Sequence, residues 1–192
     1  MKIISVIPAR GGSQSIKFKN LAKINNKPLI YYSIKQSLNC KLINRTFVST
    51  DNIKIAKISK HYGAEVPFLR PKKLSSNNST DYDFLRHIVD WLKNNENYVP
   101  DLIVQLRPTQ PTRTLDLILQ CINKLKKDKK ASALRTISEP ERTPYKMWVK
   151  KGSQLKYLFN NKEKKKEFFN FNRRKLPKVF WHDGLVDIIK TK

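Results

Sequence analysis

Apolar runs typical of buried strands alternate with segments of helical periodicity over the first 138 of 192 residues. Helices are predicted from Pro28, over 52–62 between Asp51 and Gly63, from Thr80, and over about 115–127. Such alternation favours a mostly parallel sheet covered by helices, an open doubly wound α/β fold with ligands at the carboxyl ends of the strands. The predicted strands are 2–8, 45–50, 64–69, 101–106 and 131–138.

Helix boundaries and inner faces follow from local signals. Asp51 is predicted to cap the second helix, and Thr80 and Asp83 have the spacing of a capping box. The predicted inner faces are Ile30, Ile34 and Leu38 in the first helix and Phe84, Ile88 and Leu92 in the third.

The alternation stops after residue 138. Residues 139–178 contain short strand-like pieces within a Lys-, Asn- and Phe-rich stretch, which predicts a β-hairpin or protruding arm. Residues 179–192 begin with an apolar segment, VFWHDGLVDII, that is predicted to return to the sheet. We therefore expect one domain over 1–192, with its α/β core in 1–138.

The chain is strongly basic, with 40 Lys and Arg against 15 Asp and Glu and a formal net charge of +25. This excess is compatible with nucleic-acid binding, with attraction to acidic substrates or membranes, or with a compositional background. No apolar run is long enough to span a membrane. Cys40 and Cys121 are isolated within apolar helical patterns, so we expect buried thiols of a reducing compartment.

Two adjacent glycines, Gly11 and Gly12, follow the first strand in a chain that has only five. Glycine permits positive φ and close backbone approach, so successive N–H groups can converge on an anion. Arg10 and Lys19 add charge nearby. The pattern favours a polyphosphate-binding loop, with a simple tight turn as the alternative.

The segment IPARGGSQSIKFKN closely resembles the first motif of the acylneuraminate cytidylyltransferases, whose typical form is IPARGGSKGIPRKN. The resemblance continues through four further blocks in the family's order. They are NKPLIYYSI (26–34), VSTDNIKIAKISKHYGAEVPFLRP (48–71), LRPTQPTR (106–113) and LPKVFWHDGLVDI (176–188), which is similar to the family's LPxxYxxNGAIYI.

The resemblance implies a Rossmann-like fold of the nucleotide-diphospho-sugar transferase type, with an arm that crosses to a second subunit in a homodimer. It implies transfer of CMP from CTP to a nonulosonic, sialic-acid-like sugar acid, with Mg²⁺ as cofactor and pyrophosphate as the leaving group. A cytoplasmic enzyme of lipopolysaccharide or capsule biosynthesis is expected, without nucleic acid or membrane as partner.

The family's site residues are carried over by motif. Arg10 and Lys19 are the candidate catalytic residues, and Arg107 and Asp183 fall where the family contacts the sugar. Asp51 and Asp187 are weak metal candidates. The candidate nucleotide-binding residues are Gly11, Gly12, Ser13, Asn20, Arg70, Ser79 and Thr80.

Simpler roles stay open for several of these residues. Asp51 can be only a helix cap, Ser79 and Thr80 can only begin a helix, and Arg70 can be a solvated arginine. Arg113 is interpreted as a surface or helix-start residue.

The sequence departs from the family pattern in three places. Gln14 and Ser15 replace a Lys-Gly pair of the loop, which removes a charge, while Lys17 stands where the family often has Pro. Asn77 replaces a common Asp. The chain ends at IIKTK without a DIDTxxD motif, whose carboxylates bind Mg²⁺ in the family, so we expect a minimal metal site and weak activity.

Three alternatives remain. A truncated or degenerate family member would keep the fold and have little activity. A basic nucleic-acid-binding protein would use KLKKDKK (124–130) and KEKKKEFFNFNRRK (162–175), although no nucleic-acid-binding motif appears. A related enzyme of the 3-deoxy-manno-octulosonate type would activate a different sugar acid.

Overall fold

A computed structural model describes residues 1–13, 16–159 and 167–191. The chain forms two compact units. Unit 1 comprises Met1–Thr136 and Gly184–Lys192, and unit 2 comprises Ile137–Asp183. No helix in the described ranges is long and apolar enough to cross a membrane.

The strands and helices come in the following order. They are β1 (Ile3–Pro8), β2 (Lys23–Ile24), β3 (Lys27–Pro28), α1 (Leu29–Leu38), β4 (Arg45–Ser49), α2 (Ile53–His61), α3 (Asp81–Glu96), β5 (Leu102–Gln105), α4 (Leu115–Lys127), β6 (Ala133–Ser138), β7 (Trp148–Lys151), β8 (Gln154–Tyr157) and β9 (Trp181–Lys190). Short 3-10 turns lie at Lys19–Leu21, Lys72–Leu74, Pro144–Lys146, Phe168–Asn170 and Arg173–Lys175.

The main sheet has the strand order β4-β1-β5-β9-β6. Strand β1 pairs in parallel with both β4 and β5, so the order of the sheet reverses beside it. Strand β9 is antiparallel to β5, with Val104 opposite Ile188. The predicted α/β sheet is confirmed, and the predicted returning segment is one strand inside it.

Residues 64–69 do not form the predicted strand. Glu65 makes a single parallel bridge to Phe47, in which its N–H donates to the Thr46 carbonyl at 2.8 Å and its carbonyl accepts from Val48 N–H at 2.9 Å. The next ladder donor would be Pro67, which has no N–H. Pairing therefore stops after one residue.

Asn52, and not the predicted Asp51, caps α2. The Asn52 side chain accepts hydrogen bonds from the N–H groups of Lys54 at 2.9 Å and Ile55 at 3.2 Å. Gly63 follows the helix with φ of +93°, the left-handed conformation that favours glycine at a helix end.

The other helix signals are confirmed except at the end of α1. Pro28 directly precedes α1 in an extended conformation. Ile30 and Ile34 are fully buried, whereas Leu38 in the last turn is 45% exposed. Thr80 and Asp83 form the predicted capping box of α3.

The two faces of β1 point into separate apolar clusters, because alternate residues of a strand face opposite sides. Ile3 and Ile7 pack with residues of α1, α2 and α4. Ile4 and Val6 pack with residues of α3. Helices therefore cover both faces of the sheet. Cys40 and Cys121 are both buried, as predicted.

Unit 2 contains the hairpin predicted for the arm. Strands β7 and β8 are antiparallel, with Trp148 opposite Tyr157. Phe169 packs on both rings, with its centroid 4.7 Å from Trp148 and 5.0 Å from Tyr157. The unit thus has an aromatic cluster of its own, while Trp148 remains 44% exposed.

Candidate active site

A cavity of about 470 Å³ in unit 1 lies at the carboxyl ends of β1 and β5, where the strand order of the sheet reverses. Pro8, the last residue of β1, and Arg107, two residues beyond β5, both contribute to its wall. Its lining residues are Pro8, Arg10, Ser13, Lys19, Asn20, Arg70, Leu74, Ser76, Asn77, Ser79, Thr80, Asp81, Phe84, Arg107, Pro108 and Thr109.

Most of the residues predicted for the site therefore line this one cavity, although they lie on separate segments of the chain. Four of its lining residues are Lys or Arg and one is Asp, so the wall carries a net positive charge. Such a cavity attracts an anionic ligand. The predicted residues on the wall are Arg10, Ser13, Lys19, Asn20, Arg70, Ser79, Thr80 and Arg107.

Arg10 links two walls of the cavity. Its Nη1 donates to the Ser76 carbonyl and to Asn77 Oδ1, each at 3.1 Å. The buried side chain of Asn20 donates from Nδ2 to the Arg10 carbonyl at 3.1 Å. Asn20 therefore positions the backbone that carries Arg10, and Asn77 is a direct partner of the guanidinium.

The two glycines do not adopt the conformation that their spacing suggests. Neither Gly11 nor Gly12 has positive φ. The Gly11 N–H donates to Asp51 Oδ1 at 2.7 Å, and a Cβ at Gly11 would lie 3.0 Å from Asn52 side-chain atoms. Gly11 therefore packs closely against Asn52, whose side chain would have to shift to accommodate a Cβ. Its N–H group is already bound to a carboxylate.

Other residues of this loop have different positions. Gly12 is exposed, and Lys17 is exposed and does not line the cavity. Gln14 and Ser15, the predicted departures from the family motif, lie outside the described residues. The loop therefore contributes charge to the cavity through Arg10 and Lys19.

Arg70 is 6% exposed, so the simpler interpretation of a solvated arginine is wrong. Its Nε donates to Ser49 Oγ at 3.0 Å, and its Nη2 donates to the Ser49 carbonyl at the end of β4. The guanidinium carbon lies 4.9 Å from the centre of the Phe84 ring. Burial lowers the pKa of Arg70 to about 10, because desolvation disfavours its charged form.

The start of α3 forms the opposite wall. Thr80 Oγ1 donates to Asp83 Oδ2 at 3.0 Å, and the Thr80 N–H donates to the same oxygen at 2.7 Å. Ser79 Oγ donates to the Lys73 carbonyl at 3.2 Å. Both residues line the cavity, while Thr80 also caps α3 and Ser79 also holds the loop before it, so a structural role and a place at the site are compatible.

Arg107 bridges two carboxylates. Its Nη2 contacts Asp81, the first residue of α3, and its Nη1 contacts Asp187 of β9. Gln105 Nε2 donates to the same Asp81 oxygen at 3.0 Å. The guanidinium is therefore held between a helix start and a strand.

Arg113 is 4% exposed, so a surface position is wrong, whereas the alternative of a helix-start position is confirmed, because Arg113 directly precedes Thr114, the cap of α4. Its Nη2 donates to the Arg107 carbonyl at 2.9 Å, its Nη1 donates to Gln36 Oε1 at 2.8 Å, and its Nε donates to the Leu185 carbonyl. Burial lowers its pKa to about 10. Arg113 thus joins the loop after β5 to α1 and β9.

The described residues do not fit a Mg²⁺ site. Within these ranges no three His, Cys, Asp or Glu side chains come together. Asp81 and Asp187 both pair with Arg107, and Asp51 accepts the Gly11 N–H. Asp183 belongs to unit 2, where it accepts a hydrogen bond from Ser138 Oγ at 2.8 Å.

Sequence reasoning missed Asp81 and Ser76 as lining residues and Arg113 as a positioning residue. A signal existed for Asp81, which follows the capping residue Thr80 and therefore lies at the same helix start. None existed for Arg113, because only the fold brings the carbonyls of Arg107 and Leu185 to one guanidinium.

Together, the sheet reversal beside β1 and the cation-rich cavity at the strand ends define an α/β protein whose cavity lies where proteins of this fold class bind their ligands. A family model described as cytidylyltransferase matches residues 4–182. The chain belongs to the cytidylyltransferase family.

Curated relatives are consistent with this assignment. A pseudaminic acid cytidylyltransferase of Campylobacter jejuni is 34% identical over 124 residues, which are 65% of this chain and 53% of that protein. A CMP-N,N'-diacetyllegionaminic acid synthase of Legionella pneumophila is also 34% identical, over 64% of this chain and 52% of that protein. The chain thus spans about half the length of these relatives.

A longer match and a structural neighbour extend the comparison. The post-translational flagellin modification protein B of Campylobacter coli is 31% identical over 98% of this chain and 77% of that protein. The solved structure of a CMP:2-keto-3-deoxy-manno-octonic acid synthetase complexed with CTP has a TM-score of 0.69, with 16% identity over 99% of this chain and 74% of that one. That likeness supports the fold.

Proposed function

We propose that the chain transfers CMP from CTP to a nonulosonic sugar acid and releases pyrophosphate. The observation that carries this proposal is the cation-rich cavity, which gathers residues of the family's motifs at the reversal point of the sheet. The family match and the relatives that act on pseudaminic and legionaminic acids support it.

In this reaction the anomeric hydroxyl oxygen of the sugar attacks the α-phosphorus of CTP. A new oxygen–phosphorus bond forms, the hydroxyl proton is lost, and the bond to the β-phosphate oxygen breaks. The chain's part is positioning and charge stabilisation. Arg10 and Lys19 are the cations placed to meet the triphosphate, and buried Arg70 borders the part of the cavity formed by Phe84 and Leu74.

The acceptor is expected to be a nonulosonic acid because the family resemblance and the named relatives agree on that class. Such an acid carries a carboxylate, for which Arg107 is the candidate partner on the wall. Asp183 is the second candidate for the sugar, as implied by its place in the HDG segment.

Mg²⁺ accompanies CTP in the reaction that the resemblance implies. It would neutralise phosphate charge when bound. Because the described carboxylates do not fit a site for it, the steps above depend on the chain's own residues.

A homodimer built through unit 2 is the proposed assembly. Several large apolar side chains of unit 2 are exposed, including Trp148 at 44%, Leu155 at 64% and Trp181 at 57%. Light scattering after size exclusion should give twice the chain mass, and a Trp148→Ser/Leu155→Ser variant should give the monomer mass. A monomer for the unchanged chain would contradict this assembly.

A cytoplasmic setting and a role in surface-glycan synthesis complete the proposal. The two buried cysteines, Cys40 and Cys121, support a reducing compartment.

The central test is a Mg²⁺-containing assay with CTP and, separately, pseudaminic, legionaminic and N-acetylneuraminic acids. CMP-sugar and pyrophosphate should appear in equal amounts with one of the three acids. Arg10→Ala should lower kcat/KM by about a hundredfold, because it removes a charge placed at the triphosphate. Arg86→Ala, an exposed arginine of α3 outside the cavity, is the matched control.

The rival functions give different outcomes in the same preparation. Saturable CTP binding without product would favour a degenerate family member with little activity. Preference for another nucleoside triphosphate or for 3-deoxy-manno-octulosonate would favour a related enzyme. Binding to DNA or RNA that persists at about 200 mM salt would favour a nucleic-acid-binding protein, since purely electrostatic association falls steeply with salt.

A further inference from the structure

The guanidinium of Arg107 lies where two carboxylates from distant parts of unit 1 meet. Asp81 is the first residue of α3, and Asp187 is in β9. The Asp81 carboxylate accepts a hydrogen bond from Arg107 Nη2, and the Asp187 carboxylate accepts one from Arg107 Nη1. One planar cation thereby connects two anionic groups, which is the task a divalent metal ion often performs between carboxylates.

The backbone of Arg107 is fixed at the same time. Its carbonyl accepts hydrogen bonds from Arg113 Nη2 at 2.9 Å and from Ser33 Oγ at 3.2 Å. Gly184 has φ of +71° beside the side chain, and a Cβ there would lie 3.8 Å from Arg107 Cδ. Arg107 is therefore held at its backbone carbonyl and at both terminal nitrogens of its guanidinium, which leaves the side chain little freedom to move.

The electrostatics also oppose a metal ion at this pair. The Asp187 side chain is 4% exposed and lies among three arginines. Arg107 contacts its Oδ2, Arg135 Nε is 3.9 Å from its Oδ1, and Arg113 acts on it through space. A dication entering there would meet the charge of Arg107 at direct contact, whereas Arg135 and Arg113 act on Asp187 from further away.

We propose that Arg107 takes the place of a divalent cation between Asp81 and Asp187, so that this carboxylate pair binds metal only when Arg107 is removed. The proposal goes beyond the transferase function, because it concerns metal affinity of the protein alone. It makes Arg107 a positioning residue that joins the start of α3 to β9 by charge.

The test is a titration of the full chain with Mn²⁺ alone, in which electron paramagnetic resonance measures the concentration of the free ion at each step. Arg107→Gln should gain one saturable site that binds Mn²⁺ at least about tenfold tighter than any site of the unchanged chain. Arg86→Gln removes a different arginine of unit 1, one paired with Asp90, and should gain no site.

Two further variants keep the proposal falsifiable. In the unchanged background, Asp81→Asn and Asp187→Asn should leave Mn²⁺ binding as it was, because the pair is already occupied by Arg107. Loss of a Mn²⁺ site in either variant would overturn the proposal. So would a folded Arg107→Gln protein, by circular dichroism, that gains no site. If that variant does not fold, Arg107→Ala takes its place in the titration, and the same gain of one site is required.

Discussion

Buried arginines hold the loops that surround the cavity. Arg70 binds the end of β4 through Ser49, and Arg113 binds the carbonyls of Arg107 and Leu185. Burying a guanidinium is unfavourable unless its donors are satisfied, and in both cases carbonyl and hydroxyl acceptors satisfy them. The positive charge of these residues therefore also serves to fix backbone segments.

Arg113→Ala should lower the free energy of unfolding by about 2–4 kcal/mol, because it removes the hydrogen bonds that the buried guanidinium donates to the Arg107 and Leu185 carbonyls and to Gln36. Urea denaturation followed by circular dichroism measures the change. Arg86→Ala should change it by less than about 0.5 kcal/mol, since Arg86 is exposed. Equal effects of the two substitutions would mean that Arg113 does not hold the loop.

His87 gives the stability of unit 1 a pH dependence. Its Nδ1 is buried and has no hydrogen-bond partner among the described residues, and its ring packs edge-on against Phe68. Burial lowers the pKa of His87 below 6.5, and the charge of Arg70 lowers it further. The unfolded chain therefore binds a proton at higher pH than the folded chain does, and stability falls as the pH falls through about 6.5.

Lowering the pH from about 7.5 to about 5.5 should thus destabilise the unchanged chain more than it destabilises the His87→Phe variant. Urea titrations at both pH values measure the change in the free energy of unfolding of each protein. The contributions of the other histidines cancel in the comparison, because both proteins contain them. An identical pH dependence in the two proteins would exclude His87 as its source.

The elements place polar side chains at the edge of the sheet where the cavity lies. Two neighbouring residues after β4 have different partners: Asn52 caps α2, and Asp51 accepts a hydrogen bond from the Gly11 N–H. The sequence makes either residue a plausible cap. The direction of the chain as it leaves β4 decides that Asp51 turns toward the loop after β1.

Asn52→Ala should cost about 1 kcal/mol of stability and speed amide hydrogen exchange at Lys54 and Ile55, the two donors to the cap. Asp51→Ala should leave exchange at those two amides unchanged and speed it at Gly11. Two-dimensional NMR of exchanging amides separates the cases. The reverse pattern would restore Asp51 as the cap.

At the scale of the whole molecule, the core and the cavity belong to one unit. Every residue of the two buried apolar clusters and every residue lining the cavity lies in unit 1. Unit 2 has its own hairpin and aromatic cluster. Its ends meet at the hydrogen bond between Ser138 and Asp183.

Replacing residues 139–182 by a short Gly-Ser linker should therefore leave unit 1 folded. We expect cooperative urea unfolding and retained CTP binding, measured by calorimetry, together with loss of the proposed dimer. A linker of the same composition inserted between β7 and β8 is the control for the added residues. A non-cooperative transition in the deleted chain would show that unit 1 needs unit 2 to fold.

The sequence alone determined the order of the four helices and of the main-sheet strands, the position of the cavity at the strand ends and half of its lining residues. These features depend on periodicity, caps and motifs, which are local. Only the tertiary structure decided that residues 64–69 pair once, that Asp51 binds Gly11, and that Arg113 is buried. It also decided that Arg107 lies between Asp81 and Asp187, which are 106 positions apart in sequence. Such contacts join residues that are far apart along the chain, and local sequence patterns therefore do not predict them.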